Sequence, residues 1–343
     1  MKAVVVREHG GAEVLRIEER PVPEPGHGEV RVRVRAVALN HLDVWVRRGV
    51  PGHPFPLPIV PGCDVAGEVD ALGPGADEAP RPGAPVLVAP GLSCGACEAC
   101  ASGQDQFCRQ YGILGETRDG GCAEAVVVPA RNLLPAPRDL PAEQAAAIPL
   151  VFLTAWHMVV ERARVRAGET VLVHAAGSGV SSAAIQIARL HGARVITTVG
   201  SDAKAAKARA LGADEVVNYR TQDFAAEVRR LTAKRGVDAI VDHVGPATWD
   251  GNVRSLAKGG RLVLCGSTGG FEVKTDLRFV FFKSLAVLGS TMGSRSELHA
   301  ILRLVEAGRL RPVVDSVLPL AEVAEGHRRL EAREVFGKVV LRP

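Results

Sequence analysis

The sequence predicts an α/β protein in which a β-rich lobe is followed by a doubly wound parallel sheet. Two patterns predict this class. Up to about residue 129, short alternating apolar runs lie between turn-rich stretches, as in strands with one solvated face. From Glu169 onward, short apolar runs alternate with helical stretches, as in a parallel sheet covered by helices on both faces. A long, largely buried helix is predicted over residues 143–161, between the two regions.

Each element is predicted from its local pattern. The first lobe should contain strands at residues 2–7, 29–38, 85–88 and 123–128. The sheet should contain strands at residues 170–174, 194–199, 215–218, 238–242, 261–265 and 285–290, with helices at 182–190, 202–211, 224–234 and 249–256. A last helix at 296–306 and a last strand at 337–341 should return to the first lobe. The predicted domains are therefore 1–152, 153–292 and 293–343.

Composition excludes several classes of protein. A chain of 343 residues with 47% apolar and 23% charged residues should form about two globular domains. The net charge of +4 is small, and Arg31, Arg33 and Arg35 alternate with valines as on the wet face of a strand, so nucleic acid is not an expected partner. The start of the chain lacks a signal-peptide pattern, and the longest apolar run, 145–160, is too short and too interrupted for a membrane span. We expect a cytoplasmic protein with reduced thiols.

Four cysteines form the most specific motif in the chain. They are separated by two, two and seven residues in CGACEACASGQDQFC, and they are Cys94, Cys97, Cys100 and Cys108. Thiolates at this spacing can converge on one tetrahedral zinc ion, and four sulfur ligands leave no open position for a substrate. A disulfide cluster is the alternative, but an oxidising compartment is not indicated. The motif predicts one structural zinc.

A glycine turn follows the first strand of the predicted sheet and precedes a helix. The turn contains Gly177, Ser178, Gly179 and Val180. Two glycines allow a close approach of the backbone to a diphosphate, which the helix N-terminus stabilises. The third glycine of the common pattern is replaced by Ser181, which is still small. The context of strand, turn and helix predicts dinucleotide binding.

The end of the second strand in the sheet distinguishes the two nicotinamide dinucleotides. NAD enzymes usually place a carboxylate there, whereas this chain has Val199, Gly200 and Ser201, with Lys204 in the following helix. Ser201 and Lys204 would suit a 2′-phosphate. NADP(H) is therefore the favoured cofactor, although Lys204 could also be an ordinary solvated lysine.

Together these motifs resemble the medium-chain dehydrogenase/reductase superfamily, which combines a GroES-like lobe, often with a structural zinc, and a Rossmann domain. The resemblance covers the whole chain and includes the four-cysteine loop, the segment FLTAW at 152–156 and the ending FGKVVL at 336–341. Zinc alcohol dehydrogenases of this superfamily use a catalytic zinc, and quinone oxidoreductases and enone reductases lack it. At the positions of the usual zinc ligands this chain has Asn40, Cys63 with Asp64, and Leu150. The resemblance therefore implies that the ordinary catalytic zinc is absent.

The resemblance to quinone oxidoreductases also implies roles for individual residues. Asn40 and Asp43 match that branch at the nicotinamide end, and Lys204 and Tyr219 match its residues around the 2′-phosphate and adenosine. Thr154, Cys265 and Ser267 match its contacts to the nicotinamide ribose. Lys338 matches a position in the closing lobe that approaches the cofactor. In this interpretation Asn40 orients the nicotinamide or a substrate carbonyl, and His41 or Asp43 relays a proton.

The expected function is NADPH-dependent transfer of hydride to a quinone, an enone or a related carbonyl compound. One alternative is a zinc alcohol dehydrogenase with an atypical metal site built from His41, Asp43, Cys63 and Asp64. A second alternative is a non-catalytic NADPH-binding sensor. The expected partner is a small-molecule substrate, and pairing through the predicted strand 285–290 suggests a homodimer or homotetramer.

Overall fold

A computed structural model describes all residues of the chain, Met1–Pro343. They form two compact units. The first unit contains residues 1–150, 294–308 and 312–343, and the second contains residues 151–293 and 309–311. These limits lie one or two residues from the boundaries proposed above from the sequence. The short excursion of residues 309–311 into the second unit has no counterpart in that proposal.

The strands, in chain order, are β1 (Lys2–Val5), β2 (Arg16–Glu19), β3 (Glu29–Ala38), β4 (Asp64–Leu72), β5 (Pro85–Val88), β6 (Gly91–Leu92), β7 (Gly112–Ile113), β8 (Ala125–Pro129), β9 (Leu133–Pro135), β10 (Thr170–Val173), β11 (Arg194–Val199), β12 (Glu215–Asn218), β13 (Val237–Asp242), β14 (Leu256–Leu264), β15 (Ala286–Gly289), β16 (Val314–Pro319) and β17 (Lys338–Arg342). The helices are α1 (His41–Arg48), α2 (Glu98–Ala101), α3 (Ala142–Ala146), α4 (Pro149–Trp156), α5 (Gly179–Leu190), α6 (Asp202–Ala210), α7 (Phe224–Leu231), α8 (Pro246–Ser255), α9 (Leu277–Phe282), α10 (Arg295–Glu306) and α11 (Val323–Glu331).

The first unit is organised around β3. The main sheet has the strand order β16-β17-β3-β4-β5-β9, and β8 also pairs with β3. The valines of β3 are buried and its arginines point outward, as the period of two predicts. Arg31 and Arg33 both donate to the carboxylate of Asp70 on β4, over 2.6 and 2.7 Å. These arginines are therefore compensated by carboxylates of the protein itself.

The second unit confirms the predicted parallel sheet. Its strand order is β12-β11-β10-β13-β14-β15, and every neighbouring pair is parallel. Leu172, Ile196, Ile240 and Leu262, one from each of four central strands, are fully buried in its core. From β10 the chain adds β11 and β12 on one side of the sheet, and it then returns to add β13, β14 and β15 on the other side. The boundary between β10 and β13 is therefore the topological switch point, where such sheets bind ligands beyond the carboxyl ends of their strands.

The predicted helix at 143–161 is divided into three parts. α3 ends before Pro149, which begins α4, because a residue that precedes proline is disfavoured in a helical conformation. A π-helical turn, His157–Arg162, follows α4. By length and composition, the stretch Ala142–Arg162 could cross a membrane, but 72% of its apolar window is buried inside the protein, and buried core helices pass the same test.

Several elements are absent from the sequence prediction. Strand β4 lacks a regular alternation of apolar and polar residues and contains Gly67, whose Cα lies against the backbone of β3, so that a Cβ there would reach 2.2 Å from the Arg33 carbonyl oxygen. β14 begins five residues before the predicted strand and runs through Gly259 and Gly260, which sequence patterns place in a turn. A shift of register where β14 pairs with β13 accommodates them.

Candidate functional site

The four predicted cysteine ligands converge in the first unit. The Sγ atoms of Cys94, Cys97, Cys100 and Cys108 all lie within 4.8 Å of one another, and none of the four is in a disulfide. Backbone N–H groups of Ala96 and Cys97 point at the Cys94 sulfur and lower the pKa of this thiol to about 6. A sulfur cluster of this size with stabilised thiolate character fits a tetrahedral zinc ion.

A second cluster in the first unit contains a buried ammonium group. Lys338, at the start of β17, is 3% exposed, and its Nζ lies 3.0 Å from Oδ2 of Asp64, which is fully buried. The same Nζ donates to Oδ1 of Asn40. Asn40 Nδ2 in turn donates to Asp64 Oδ2 over 2.9 Å and lies 3.4 Å from the Cys63 sulfur. The Leu150 N–H donates to Asp64 Oδ1 over 2.7 Å, which completes the cluster.

This cluster does not fit the ordinary catalytic zinc. Such a zinc needs three protein ligands and an open position. Here Leu150 supplies only a backbone N–H, and both oxygens of Asp64 already accept hydrogen bonds. The positive charge of Lys338 would also repel a divalent ion at the same donors. Among the residues 1–343, the four cysteines are the one group of three or more His, Cys, Asp or Glu side chains whose donor atoms converge.

Asp43 joins helix α1 to the segment that precedes β4. Its carboxylate accepts from the Asn40 N–H over 2.6 Å, within a capping box at the start of α1, and from the Gly62 N–H over 2.9 Å. Burial raises the pKa of Asp43 to about 6 against these two hydrogen bonds. Both oxygens are therefore occupied by backbone donors, a geometry that suits positioning of Asn40 and Cys63. A proton relay through Asp43 or His41 stays a prediction.

The predicted dinucleotide loop lies between β10 and α5 in the second unit. Ser178 caps the helix by accepting from the Ser181 N–H over 3.0 Å, and α5 begins at Gly179. The N–H groups of Gly179 and Val180 belong to the first turn and have no acceptor within the helix. Gly177, Ser178, Gly179 and Val180 are all half-buried. A helix N-terminus with such donors fits a diphosphate.

Loops that follow neighbouring strands are joined at this edge of the sheet. His243, just after β13, places Nε2 2.9 Å from Ser178 Oγ and 3.0 Å from Ser181 Oγ. Its backbone carbonyl accepts from the Thr268 N–H in the loop after β14, over 3.0 Å. The loops after β10, β13 and β14 therefore form one hydrogen-bonded surface, which includes the predicted residues Cys265 and Ser267.

A buried polar network lies beside the loops that follow β10 and β13. His174, at the end of β10, lies 2.6 Å from Asn252 Oδ1, and Asn252 Nδ2 donates to Asp242 Oδ2 over 2.8 Å. Burial lowers the pKa of His174, so its ring is neutral at pH 7. The other oxygen of Asp242 accepts from the Val244 N–H over 2.7 Å and fixes the turn after β13. Sequence reasoning missed this network, although polar residues at the carboxyl ends of two adjacent strands were a usable signal.

The predicted 2′-phosphate residues lie together at the ends of β11 and β12. Ser201 caps α6 by accepting from the Lys204 N–H over 3.4 Å. The hydroxyl of Tyr219 lies over Gly200, where a Cβ would come within 2.5 Å of it. Asp202, a carboxylate in the first turn of α6, accepts from the Asn218 amide over 3.0 Å. This carboxylate did not enter the preference for NADP(H) that was drawn from the sequence.

The remaining predicted residues lie in both units. Thr154 is buried in α4 of the second unit. The thiol of Cys265 has a pKa raised to about 12 by burial, and the Ser267 hydroxyl donates to the Gly270 carbonyl. His41 opens α1 in the first unit, where burial and then the charge of Arg333 lower its pKa.

Two family models match the chain. An alcohol dehydrogenase GroES-like domain covers residues 26–138, and a zinc-binding dehydrogenase domain covers residues 179–307. A quinone oxidoreductase from Homo sapiens is 30% identical over 99% of this chain and 97% of its own length. An NAD-dependent alcohol dehydrogenase from Sulfolobus acidocaldarius is 34% identical over 100% of this chain and 99% of its own. A solved structure described as an NAD-dependent alcohol dehydrogenase is 56% identical, with a TM-score of 0.95 over 100% of both chains.

The chain belongs to the medium-chain dehydrogenase/reductase superfamily. It is an oxidoreductase, and its two units are the GroES-like and Rossmann domains of that superfamily. The four-cysteine cluster and the zinc-binding dehydrogenase domain support a bound zinc. The relatives are named for two different reactions, so the type of reaction has to be argued from the residues of this medium-chain oxidoreductase.

The Lys338–Asp64 pair should be strongly coupled in the stability of this oxidoreductase. Replacing Lys338 with Met leaves a buried carboxylate uncompensated and should lower the free energy of unfolding by about 3 kcal/mol. The double variant Lys338→Met with Asp64→Asn should cost about 2 kcal/mol less than the sum of the single variants. Urea unfolding of the four proteins measures this cycle. Additive effects of the two substitutions would contradict the pairing.

Asp43 should give the first unit a distinct pH dependence. Its pKa of about 6 lies above its unfolded value, so the folded state binds the proton more tightly. The stability that this proton confers is complete below about pH 4 and is lost as the pH rises through 6, by about 3 kcal/mol. The difference in unfolding free energy between wild type and Asp43→Asn, followed from pH 4 to 7, isolates this contribution. A difference that does not change with pH would show that Asp43 keeps an ordinary pKa.

Proposed function

We propose that the protein is an NADPH-dependent reductase that transfers hydride to a quinone, an enone or a related carbonyl compound without a catalytic zinc. The observation that carries this proposal is the ammonium group of Lys338 within the donor set of Asn40 and Asp64. A zinc alcohol dehydrogenase polarises the oxygen of its substrate with an open metal position. Here Asn40 and Asp64, which stand at positions of the usual zinc ligands, are hydrogen-bonded to each other, and Lys338 neutralises the charge of Asp64.

The bound nicotinamide would supply the hydride, as in other enzymes of this cofactor class. The chain's own contribution is binding and orientation. The start of α5 would hold the diphosphate, and the joined loops after β10, β13 and β14 would hold the nicotinamide half of the cofactor. Asn40 has both ends of its amide engaged inside the first unit, by Lys338 and by Asp64. We therefore assign Asn40 to positioning, in place of the direct contact with nicotinamide or substrate expected above.

The preference for NADPH is supported by Ser201, Lys204 and Tyr219 at the ends of β11 and β12. A cationic side chain and a hydroxyl at this place suit a 2′-phosphate. The neighbouring carboxylate of Asp202 is turned to the amide of Asn218, which partly satisfies it. Two relatives are named NAD-dependent, so the cofactor preference of this chain is tested directly below.

A zinc alcohol dehydrogenase is the second candidate, because two of the relatives are named NAD-dependent alcohol dehydrogenases. It would need a metal at the Asn40–Asp64 cluster after displacement of Lys338. A sensor that binds the cofactor without turnover is the third. Zinc content and turnover together separate all three.

The decisive experiment counts zinc and assays reduction. We expect one zinc per chain in protein purified without added metal, and NADPH oxidation by a panel of quinones and enones that a zinc chelator leaves unchanged during the assay. Cys97→Ser should lose the zinc and lower the melting temperature, whereas the control Cys265→Ser should keep it. Two zinc ions with chelator-sensitive alcohol oxidation would instead establish the alcohol dehydrogenase. Cofactor binding without any turnover would establish the sensor.

Lys204 tests the cofactor preference. Lys204→Ala should raise the Kd for NADPH about 10-fold, equivalent to about 1.4 kcal/mol, and should change the Kd for NADH less than 2-fold. The control Lys258→Ala removes an exposed lysine from β14 and should change neither value. Fluorescence titration of both cofactors measures these constants. Equal losses for NADPH and NADH in Lys204→Ala would remove the 2′-phosphate assignment.

A further inference from the structure

A solvent-open pocket of about 460 Å³ lies within the second unit, away from the dinucleotide loop. We call it the arginine pocket, because four of the eight residues that line it are Arg162, Arg164, Arg166 and Arg261. The other lining residues are two glutamates, Glu161 and Glu169, and two small or apolar residues. The volume lies within the range of small-molecule sites in proteins.

The position of the arginine pocket separates it from the proposed cofactor site. Glu169 immediately precedes β10, whereas the dinucleotide loop follows the same strand. The four residues of β10 therefore lie between them, a rise of about 13 Å. Arg261 pairs in register with Ala286, and Val263 pairs with Leu288, so Arg261 and the lining residue Leu288 lie on one face of the sheet.

The charges in the arginine pocket are not balanced. The carboxylate of Glu169 forms a bidentate ion pair with Arg261, whose two terminal nitrogens donate to its two oxygens over 3.0 and 2.7 Å. Arg162 donates through Nε to the Gly289 carbonyl over 2.8 Å. Arg164 and Arg166 are exposed. Four arginines less two glutamates leave a net charge of +2.

Two further details concern how Arg261 and Arg164 are held at the pocket. The Nε atom of Arg261 is buried and has no hydrogen-bond acceptor within the protein, although a buried donor without a partner is unfavourable. Arg164 adopts a φ of 50°, a left-handed conformation that costs energy for a residue other than glycine. Buried Ala163 and Val165 flank it, so the segment is anchored while its arginines stay at the pocket.

We propose that the arginine pocket binds a phosphate dianion, either inorganic phosphate or the phosphate group of a small monoester. A planar guanidinium matches phosphate oxygens with two parallel hydrogen bonds, and a dianion balances the net charge of +2. Arg164 and Arg166 extend from the segment between the π-helical turn His157–Arg162 and β10, and Arg162, the last residue of that turn, donates to the end of β15. A bound dianion would therefore tie this segment to the edge of the sheet and stabilise the folded second unit.

The test measures binding of inorganic phosphate to the full-length protein at constant ionic strength, by calorimetry and by the shift in melting temperature. The site variant is Arg164→Gln with Arg166→Gln. The matched control is Arg81→Gln with Arg138→Gln, which removes two exposed arginines from the first unit. Each titration is run with and without NADPH, because the proposed cofactor site also accepts phosphate groups. Glycerol phosphate and malonate are compared with inorganic phosphate.

Wild type and the control variant should bind phosphate equally, with and without NADPH, and the site variant should bind at least 10-fold more weakly and lose the phosphate-dependent rise in melting temperature. Glycerol phosphate binding that matches phosphate in its sensitivity to the substitutions would identify a monoester site. Three results would overturn the proposal: no saturable phosphate binding, with or without binding of malonate; equal binding by the site variant; or binding that NADPH abolishes. Enzyme activity is not a readout, so failure of the proposed reductase function leaves this test intact.

Discussion

The buried ammonium group of Lys338 is the constraint on which the first unit depends. An unpaired charge with 3% exposure would be strongly destabilising, so the chain must bring acceptors to it. The acceptors come from Asn40 at the start of α1 and Asp64 at the start of β4, 298 and 274 residues away. The three segments can meet only if β17 pairs with β3 and β3 pairs with β4, as they do. The Lys338–Asp64 ion pair therefore depends on the correct pairing of β17, β3 and β4.

The same ion pair changes what chemistry the first unit can offer. A zinc ion exchanges ligands and accepts a substrate oxygen at an open position, whereas an ammonium group held by two acceptors offers only fixed charge. The Leu150 N–H and the Asn40 amide then complete the hydrogen bonding of Asp64. The resulting polar cluster is internally satisfied, which suits a scaffold that keeps α1 and β4 in place. This reasoning favours a reaction in which the cofactor carries the chemistry.

Local sequence patterns were enough to predict much of the fold. They were not enough to predict contacts between segments that are distant in the sequence. The four-cysteine spacing and the alternation of strands and helices from Glu169 onward act within short stretches, so both were predicted from sequence. The partner of Lys338 was not, because nothing local in FGKVVL shows that its ammonium group is buried against Asp64. Strand β4 was missed for the related reason that its Gly67 is required by close contact with β3 rather than by its own sequence. Such positions depend on tertiary packing, which overrides local propensity.

The dinucleotide loop shows how packing compensates for a departure from a sequence pattern. The third glycine normally allows the helix to pack closely on its strand, and here the residue is Ser181. Its side chain is fully buried, and its hydroxyl donates to the His174 carbonyl over 2.5 Å and lies 3.0 Å from His243 Nε2. The Ser181 hydroxyl therefore fits between the helix and the strand without a clash, because it forms hydrogen bonds there. Because His243 follows β13, Ser181 also adds a second contact between two loops that Ser178 already joins at the switch point.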